Sequence, residues 1–307
     1  AKLMRFEDWQ SFKNSLDQIQ HSTNKHFNAL FGEERTMNEE QDDFYLSLWE
    51  GFITSQKLSE KLANISSEEA TQLVSLLADF RDSNAHVSLS QKGAKRLKQF
   101  LPTLLAIGLE TTNPVETIKN LIRILRTILK RTAYLDLLSE NLPILQHLVD
   151  LVSRSQWVVD RLCESPILFD ELLYPNSLYE PLQTSDLQSE LRQSLLRIEE
   201  SDKEQILDAI RNFKQINELR VAAALLAERL SISQVNRYLS QLAQVIIQTA
   251  LAICWREMVQ KYGEPAGLKD DSSIPNTQPT NLSQQVAADE IETGFAIIAY
   301  GKLGGNE

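Results

Sequence analysis

The chain has 307 residues, 42% apolar and 24% charged, an ordinary balance for a soluble globular protein with a sizeable core. Its net charge of -11 argues against sequence-independent nucleic-acid binding over the whole surface, because phosphates would be repelled. No apolar run approaches the length of a membrane span, so we expect neither a nucleic-acid nor a membrane partner. The two cysteines, Cys163 and Cys254, lie in helical patterns without disulfide spacing and favour a cytoplasmic location.

The first part of the chain is dominated by apolar residues repeating every 3.6 positions, which predicts helices. Such patterns cover residues 5–31, 40–55 and 66–82, and the third begins with capping-box spacing. A further helix begins at residue 88 or 90 and extends to residue 105. We expect Pro102 to kink or divide it, because proline lacks the N–H group that a helix interior needs.

The middle of the chain predicts one longer helix and three short ones. Asn113 followed by Pro114 is a typical helix start, and the pattern behind it predicts a single helix over residues 115–138. The short helices cover residues 143–152, 155–163 and 166–173. We therefore expect a mainly helical region in this part of the chain.

Two long helices close the helical region, over residues 204–230 and 233–262. The turn between them is short, so they should form an antiparallel pair, and Gly263 is a natural helix stop. Residues 263–293 are rich in proline and small polar residues, which is typical of a linker or surface loop.

The last fourteen residues differ from everything before them. An apolar run over residues 295–300 predicts a buried strand, and a glycine turn of residues 301–305 follows it. Glycine lets the backbone approach phosphate oxygens closely, and a lysine adds a positive charge beside them. We predict nucleotide binding by four residues of this turn: Gly301, Lys302, Gly304 and Gly305. The turn matches neither of the two common glycine-rich nucleotide motifs, so a plain loop remains the alternative.

A second candidate is a row of basic residues on the polar side of the helix that begins at Pro114. We call it the basic stripe; its members are Lys119, Arg123, Arg126, Lys130 and Arg131. It could bind an acidic partner or a nucleotide, or it could be the solvated face of an amphipathic helix. The four histidines have no metal-ligand spacing, and no nucleophilic set stands out, so we predict neither a catalytic residue nor a metal ligand.

Residues 295–307 resemble the start of the catalytic motif of glutamine synthetase adenylyltransferase, a bifunctional bacterial family. Its Gly-x-Gly falls on residues 299–301 here, with Ala299 in place of the first glycine. Upstream segments agree with the family in order and spacing, namely residues 77–81, 131–140, 169–175, 213–224 and 258–263.

The resemblance implies a domain organisation. Residues 1–35 would be the helical tail of an adenylyl-removing half. Residues 36–262 would form the central, bundle-like helical regulatory region and the helical start of the second half. Residues 263–293 would be a linker, and residues 294–307 the first strand and glycine loop of a truncated α+β nucleotidyltransferase domain.

The resemblance also implies a function. Such enzymes transfer AMP from ATP to a tyrosine of glutamine synthetase and remove it again, which regulates nitrogen assimilation. Mg²⁺ is bound by an Asp-x-Asp pair eleven residues after Gly-x-Gly, which falls outside these residues, so we expect the chain alone to be inactive. The implied partners are glutamine synthetase, a PII-type signalling protein and glutamine as effector. The alternative is a non-catalytic helical module that docks the PII-type protein or serves as a spacer.

Overall fold

The computed structural model describes residues 39–263 and 297–299. Within these ranges the chain is mainly helical and forms no β-strand. It divides into two compact units, residues 1–53 and residues 54–307. In the first unit the described helix is α1, Glu39–Glu50, which buries Tyr45, Leu48 and Trp49. The helix predicted over residues 5–31 lies outside the described residues.

The second unit contains twelve α-helices and one 3-10 helix among the described residues. In chain order these are α2 Ser55–Lys61, α3 Ser67–Arg81, α4 Asn84–Val87, α5 Gln91–Leu109, α6 Pro114–Ile128, α7 Thr132–Glu140, α8 Leu142–Arg154, α9 Gln156–Glu164, the 3-10 helix Pro166–Leu173, α10 Pro175–Tyr179, α11 Thr184–Leu195, α12 Lys203–Leu226 and α13 Ile232–Tyr262.

Side-chain caps fix where several of these helices begin and end. The predicted capping box at the start of α3 is confirmed: the Ser66 N–H group donates to Glu69 at 2.8 Å, and the Glu69 N–H group donates back to Ser66 Oγ at 3.2 Å. The hydrogen bond from the Ser66 N–H group lowers the pKa of Glu69 below its ordinary value. The predicted stop is also confirmed, because Gly263 caps α13 with a φ of 81° that favours glycine.

Helix α6 lies among the helices of the second unit that precede α10. It packs against α3, α5, α8 and α9, and the row of apolar side chains that faces them is fully buried. This row consists of Ile118, Leu121, Leu125 and Ile128. Since three to four residues separate consecutive members, all of them face the same side of the helix.

The predicted single helix over residues 115–138 is wrong. Helix α6 ends at Ile128 and α7 begins at Thr132, and Arg131 between them has non-helical dihedrals. The break turns α7 so that Leu135 and Leu138 are completely buried while α7 packs against α5 and α8. The apolar period continues across the break, so periodicity alone could not reveal it.

Pro102 does not divide α5, which is continuous from Gln91 to Leu109. The residues on both sides of the proline, including Leu101 and Leu104, are buried in the core, and this burial offsets the missing hydrogen bond.

The segment Pro166–Leu173 is a 3-10 helix rather than an α-helix. Helix α11, Thr184–Leu195, was not predicted, because its sequence is polar apart from a narrow leucine stripe.

The last two helices form the predicted antiparallel pair. Lys203 at the start of α12 is 2.9 Å from Glu257 near the end of α13, so the chain direction reverses between them. Helix α11 joins this pair to form a buried cluster, which we call the three-helix cluster. Its buried members are Leu187, Leu191, Leu195, Ile206, Phe213, Val221, Tyr238, Leu242 and Val245.

One described helix, α13, is long and apolar enough to cross a bilayer by length and composition alone. A core helix of a globular protein meets the same criterion. Because Tyr238, Leu242 and Val245 of α13 are buried against α11 and α12, its length and composition are weak evidence for a membrane span.

Helix α12 ends four residues earlier than predicted, at Leu226, in a turn that normally takes glycine. Glu228 has a φ of 57°, and the Arg229 N–H group donates to the Ala224 carbonyl at 2.9 Å.

We expect Glu228→Gly to stabilise the protein by about 0.5–1 kcal/mol, because the left-handed conformation strains any residue with a Cβ atom. Urea unfolding measures this, with Glu228→Ala as the control that should show no such gain.

Candidate functional site

The predicted nucleotide-binding residues Gly301, Lys302, Gly304 and Gly305 lie outside the described residues. Of the strand predicted over residues 295–300, the structure describes residues 297–299, which belong to no β-ladder. Ile297 and Ile298 are 57% and 69% exposed. The strand and the nucleotide-binding turn therefore stay predictions.

The described residues just before the glycine turn line a groove against α13. Ile297 and Ala299 form one wall of an open space of about 400 Å³. The other lining residues form a row on α13 that we call the outer stripe: Ser240, Gln244, Ile247, Gln248 and Leu251. The groove therefore combines aliphatic side chains with amide and hydroxyl groups.

An ion-pair network, buried at Arg220 and partly exposed at Glu190, lies at the point where the three-helix cluster contacts the preceding helices. We call it the Arg220 network; it consists of Arg220 of α12, Glu171 of the 3-10 helix and Glu190 of α11. Arg220 Nε donates to Glu171 at 2.8 Å, and its Nη1 donates to Glu190 at 3.2 Å. Burial opposes the charge of the guanidinium group, but the two carboxylates outweigh it and raise the pKa of Arg220. One side chain thus joins three helical elements.

A second buried polar contact joins α12 to α13. The Tyr238 hydroxyl donates to Asn217 Oδ1 at 2.8 Å, and Asn217 Nδ2 donates to the Phe213 carbonyl at 2.9 Å. Both side chains are buried, so each polar group needs the other as a partner. Burial raises the pKa of Tyr238 to about 12.

This pKa predicts a stability change at high pH. The unfolded tyrosine ionises near pH 10, whereas folded Tyr238 keeps its proton until about pH 12. The stabilisation linked to Tyr238 is therefore complete below pH 10 and is lost as the pH rises towards 12, because the unfolded state then binds fewer protons. We expect the difference in free energy of unfolding between the wild type and Tyr238→Phe to shrink over this interval. A difference that is constant from pH 8 to pH 12 would contradict this.

Four members of the basic stripe are engaged within the protein. Lys119 lies 3.0 Å from Glu116 and Arg123 lies 2.6 Å from Asp160. The Arg126 guanidinium group lies over the Phe80 ring at 5.9 Å, and that of Arg131 lies over the Tyr134 ring at 6.0 Å. The hydrogen bond to Arg123 lowers the pKa of Asp160. These local contacts favour the structural interpretation of the stripe over a docking face.

A further polar contact lies where α8 meets α10. His147 Nδ1 is 3.1 Å from the Tyr179 hydroxyl, and the Arg229 guanidinium group lies 5.2 Å from the centre of the Tyr179 ring. Burial lowers the pKa of His147 and raises that of Tyr179. The neutral forms of both side chains are therefore favoured, as expected for a structural contact.

No group of three or more histidine, cysteine or acidic side chains that could hold a metal ion occurs within residues 39–263 and 297–299. Cys163 is half-buried and Cys254 is exposed, and both are free thiols.

The comparison with known families agrees with the segment resemblance. The family model described as glutamate-ammonia ligase adenylyltransferase matches residues 145–307, just over half of the chain. The match begins in α8 and includes the Arg220 network, the α12–α13 pair and the glycine turn. The chain therefore belongs to the glutamate-ammonia ligase adenylyltransferase family, whose members regulate glutamine synthetase.

Proposed function

We propose that this chain is part of an enzyme that transfers AMP from ATP to a tyrosine of glutamine synthetase and removes it again. The observation that carries the proposal is the family match, because it extends through the predicted strand and the glycine turn to residue 307. Glutamine synthetase is then the protein substrate, and the enzyme acts in the cytoplasm to regulate nitrogen assimilation.

The chemistry proposed for the glycine turn is phosphate binding. Backbone N–H groups of Gly301, Gly304 and Gly305 donate to phosphate oxygens of ATP, and Lys302 contributes a positive charge beside them. Mg²⁺ would supply positive charge to the phosphates of ATP in such an enzyme. The described residues do not fit Mg²⁺, which needs clustered oxygen ligands. Its ligands would instead be the Asp-x-Asp pair that the resemblance implies.

For the helical region we propose a regulatory role, in which a PII-type protein and glutamine control the enzyme. The competing proposal is that the helices are only a spacer. Isothermal titration calorimetry of the chain with each effector distinguishes them: heat of binding supports the regulatory role, and its absence with both supports the spacer.

Lys302 provides the test of the proposed nucleotide site. In the enzyme that carries this turn, we expect Lys302→Ala to reduce kcat/KM for AMP transfer by about 100-fold, because a positive charge that stabilises the phosphates of ATP while the adenylyl group is transferred and pyrophosphate leaves is lost. Lys302→Arg should retain more activity, since the charge remains. Radiolabel transfer from ATP to glutamine synthetase measures both variants.

The matched control is Lys130→Ala, an exposed lysine between α6 and α7. Its transfer rate should equal that of the unaltered enzyme. Equal rates for Lys302→Ala and Lys130→Ala would refute the proposed role of the turn.

A further inference from the structure

The contact between His147 of α8 and Tyr179 of α10 depends on where one hydrogen atom lies. His147 Nδ1 is 3.1 Å from the Tyr179 hydroxyl, and the two rings are 5.5 Å apart. Tyr179 is only 8% exposed, and His147 is the one hydrogen-bond partner of its hydroxyl among the described residues. Since a buried hydroxyl needs an acceptor, the Tyr179 O–H group donates to Nδ1, and neutral His147 carries its own hydrogen on Nε2.

Protonation of His147 reverses this hydrogen bond. An imidazolium ring has a hydrogen on both nitrogens, so Nδ1 becomes a donor and the Tyr179 oxygen must accept. The hydroxyl hydrogen of Tyr179 then has no acceptor among the described residues, and the half-buried ring of His147 carries a charge. Both changes destabilise the closed contact. Neither change is unfavourable once the contact opens, because water then solvates both groups.

The charges around the contact do not remove this effect. Burial lowers the pKa of His147, and Asp150, one turn further along α8, opposes the shift only in part. The stabilisation linked to His147 is therefore present above about pH 6.5, the ordinary pKa of histidine, and is lost as the pH falls from there.

The charged groups near the contact come from three places: α8, the end of α10 and the turn after α12. They are Asp150, Arg154, Glu180 and Arg229. No charged group of the other described elements that pack against α8 affects the pKa of either ring.

We propose that the His147–Tyr179 contact is an acid-sensitive switch, which holds α10 and the turn after α12 on α8 at neutral pH and releases them when His147 is protonated. The turn is attached at the same place in two ways. Arg229 lies 5.2 Å from the centre of the Tyr179 ring, and Arg154 Nη1 donates to the Leu226 carbonyl at 3.0 Å. Because this turn joins α12 to α13, release of α10 loosens the connection of the α12–α13 pair to the preceding helices.

His86 shows an arrangement that lacks this sensitivity. Its Nδ1 is 2.8 Å from the Arg81 carbonyl oxygen. A carbonyl group only accepts, so Nδ1 of His86 carries a hydrogen in either charge state and the hydrogen bond keeps its direction. The response to acid thus follows from the hydroxyl partner of His147, and not from the presence of a histidine.

Hydrogen exchange of the full chain at pH 7.5 and pH 5.5 tests the switch. The amides to follow are Leu178 of α10, which donates to the Tyr174 carbonyl, and Arg229, which donates to that of Ala224. Each rate is divided by the rate in His147→Gln at the same pH, because glutamine offers an acceptor but takes up no proton. We expect this ratio to rise by about three- to tenfold at pH 5.5, the upper limit being set by an open-state histidine of ordinary pKa.

The matched control is His86→Gln, in which both amides should respond to pH as they do in the wild type. A ratio that stays constant between pH 7.5 and pH 5.5 would overturn the proposal. Loss of the response in His86→Gln would overturn it as well.

A second measurement covers the case in which His147→Gln disturbs the fold. Nuclear magnetic resonance titration of the chain with ¹³C-labelled histidine gives the pKa of His147 directly. It should lie below about 6.5 in the wild type and move up towards that value in Tyr179→Phe, because phenylalanine has no hydroxyl hydrogen that needs an acceptor. The same pKa in both proteins would contradict the assigned direction of the hydrogen bond and the switch with it. Neither measurement needs ATP or glutamine synthetase, so its outcome is independent of the proposed function.

Discussion

Replacing Arg220 with alanine should lower the free energy of unfolding by about 3–5 kcal/mol. The guanidinium group is the shared partner of Glu171 and Glu190, and the Glu171 side chain is only 13% exposed. Without Arg220, Glu171 would keep a buried charge with its main counter-ion gone. Urea unfolding followed by circular dichroism measures the loss.

Two further variants separate the buried charge from the lost packing. Glu171→Gln in the Arg220→Ala background should recover part of the stability, because it removes the uncompensated charge. Arg123→Ala breaks an exposed ion pair with Asp160 and should destabilise the protein far less than Arg220→Ala, because solvent screens an exposed pair. If Arg220→Ala were as mild as Arg123→Ala, the Arg220 network would not hold the cluster to the preceding helices.

Replacing Phe169 with alanine should cost about 3–5 kcal/mol. Phe169 is completely buried in the 3-10 helix, and its ring lies 5.4 Å from that of Tyr134 in α7. Truncation removes a large apolar side chain and leaves a cavity that the surrounding helices fill only in part. Thermal and urea unfolding both measure the change.

The neighbouring Tyr174 supplies the control, because this aromatic residue is 65% exposed. Tyr174→Ala should change the free energy of unfolding by no more than about 0.5 kcal/mol. Phe169→Leu should fall between the two, since it keeps much of the apolar volume. Similar losses at 169 and 174 would contradict the burial of Phe169.

Several parts of the fold were predictable because their signals are local. The capping pair Ser66 and Glu69 begins α3, and Gly263 ends α13, as their side chains or backbone freedom dictate. The antiparallel pair followed from two long periodic segments joined by a short turn. In each case the deciding interaction lies within a few residues of the chain.

Other parts depended on packing between distant residues. The break at Arg131 and the continuity of α5 through Pro102 both reflect which side chains the core buries. The Arg220 network joins residues 49 and 30 positions apart, so no local pattern could indicate it. The one available signal was a charged residue, Arg220, at a position surrounded by small and apolar residues of α12.

By itself, the sequence determined the helical character of the chain, the starts of its longer helices, and membership of the family through the order of its segments. These follow from periodicity, capping and motif, which are properties of neighbouring residues. The tertiary structure alone decided which acidic and aromatic side chains the residues of the basic stripe contact. It also decided that Arg220 joins three elements and that Ile297 and Ala299 line a groove together with residues of α13. Those depend on burial and charge pairing across long sequence separations, which only the folded chain brings together.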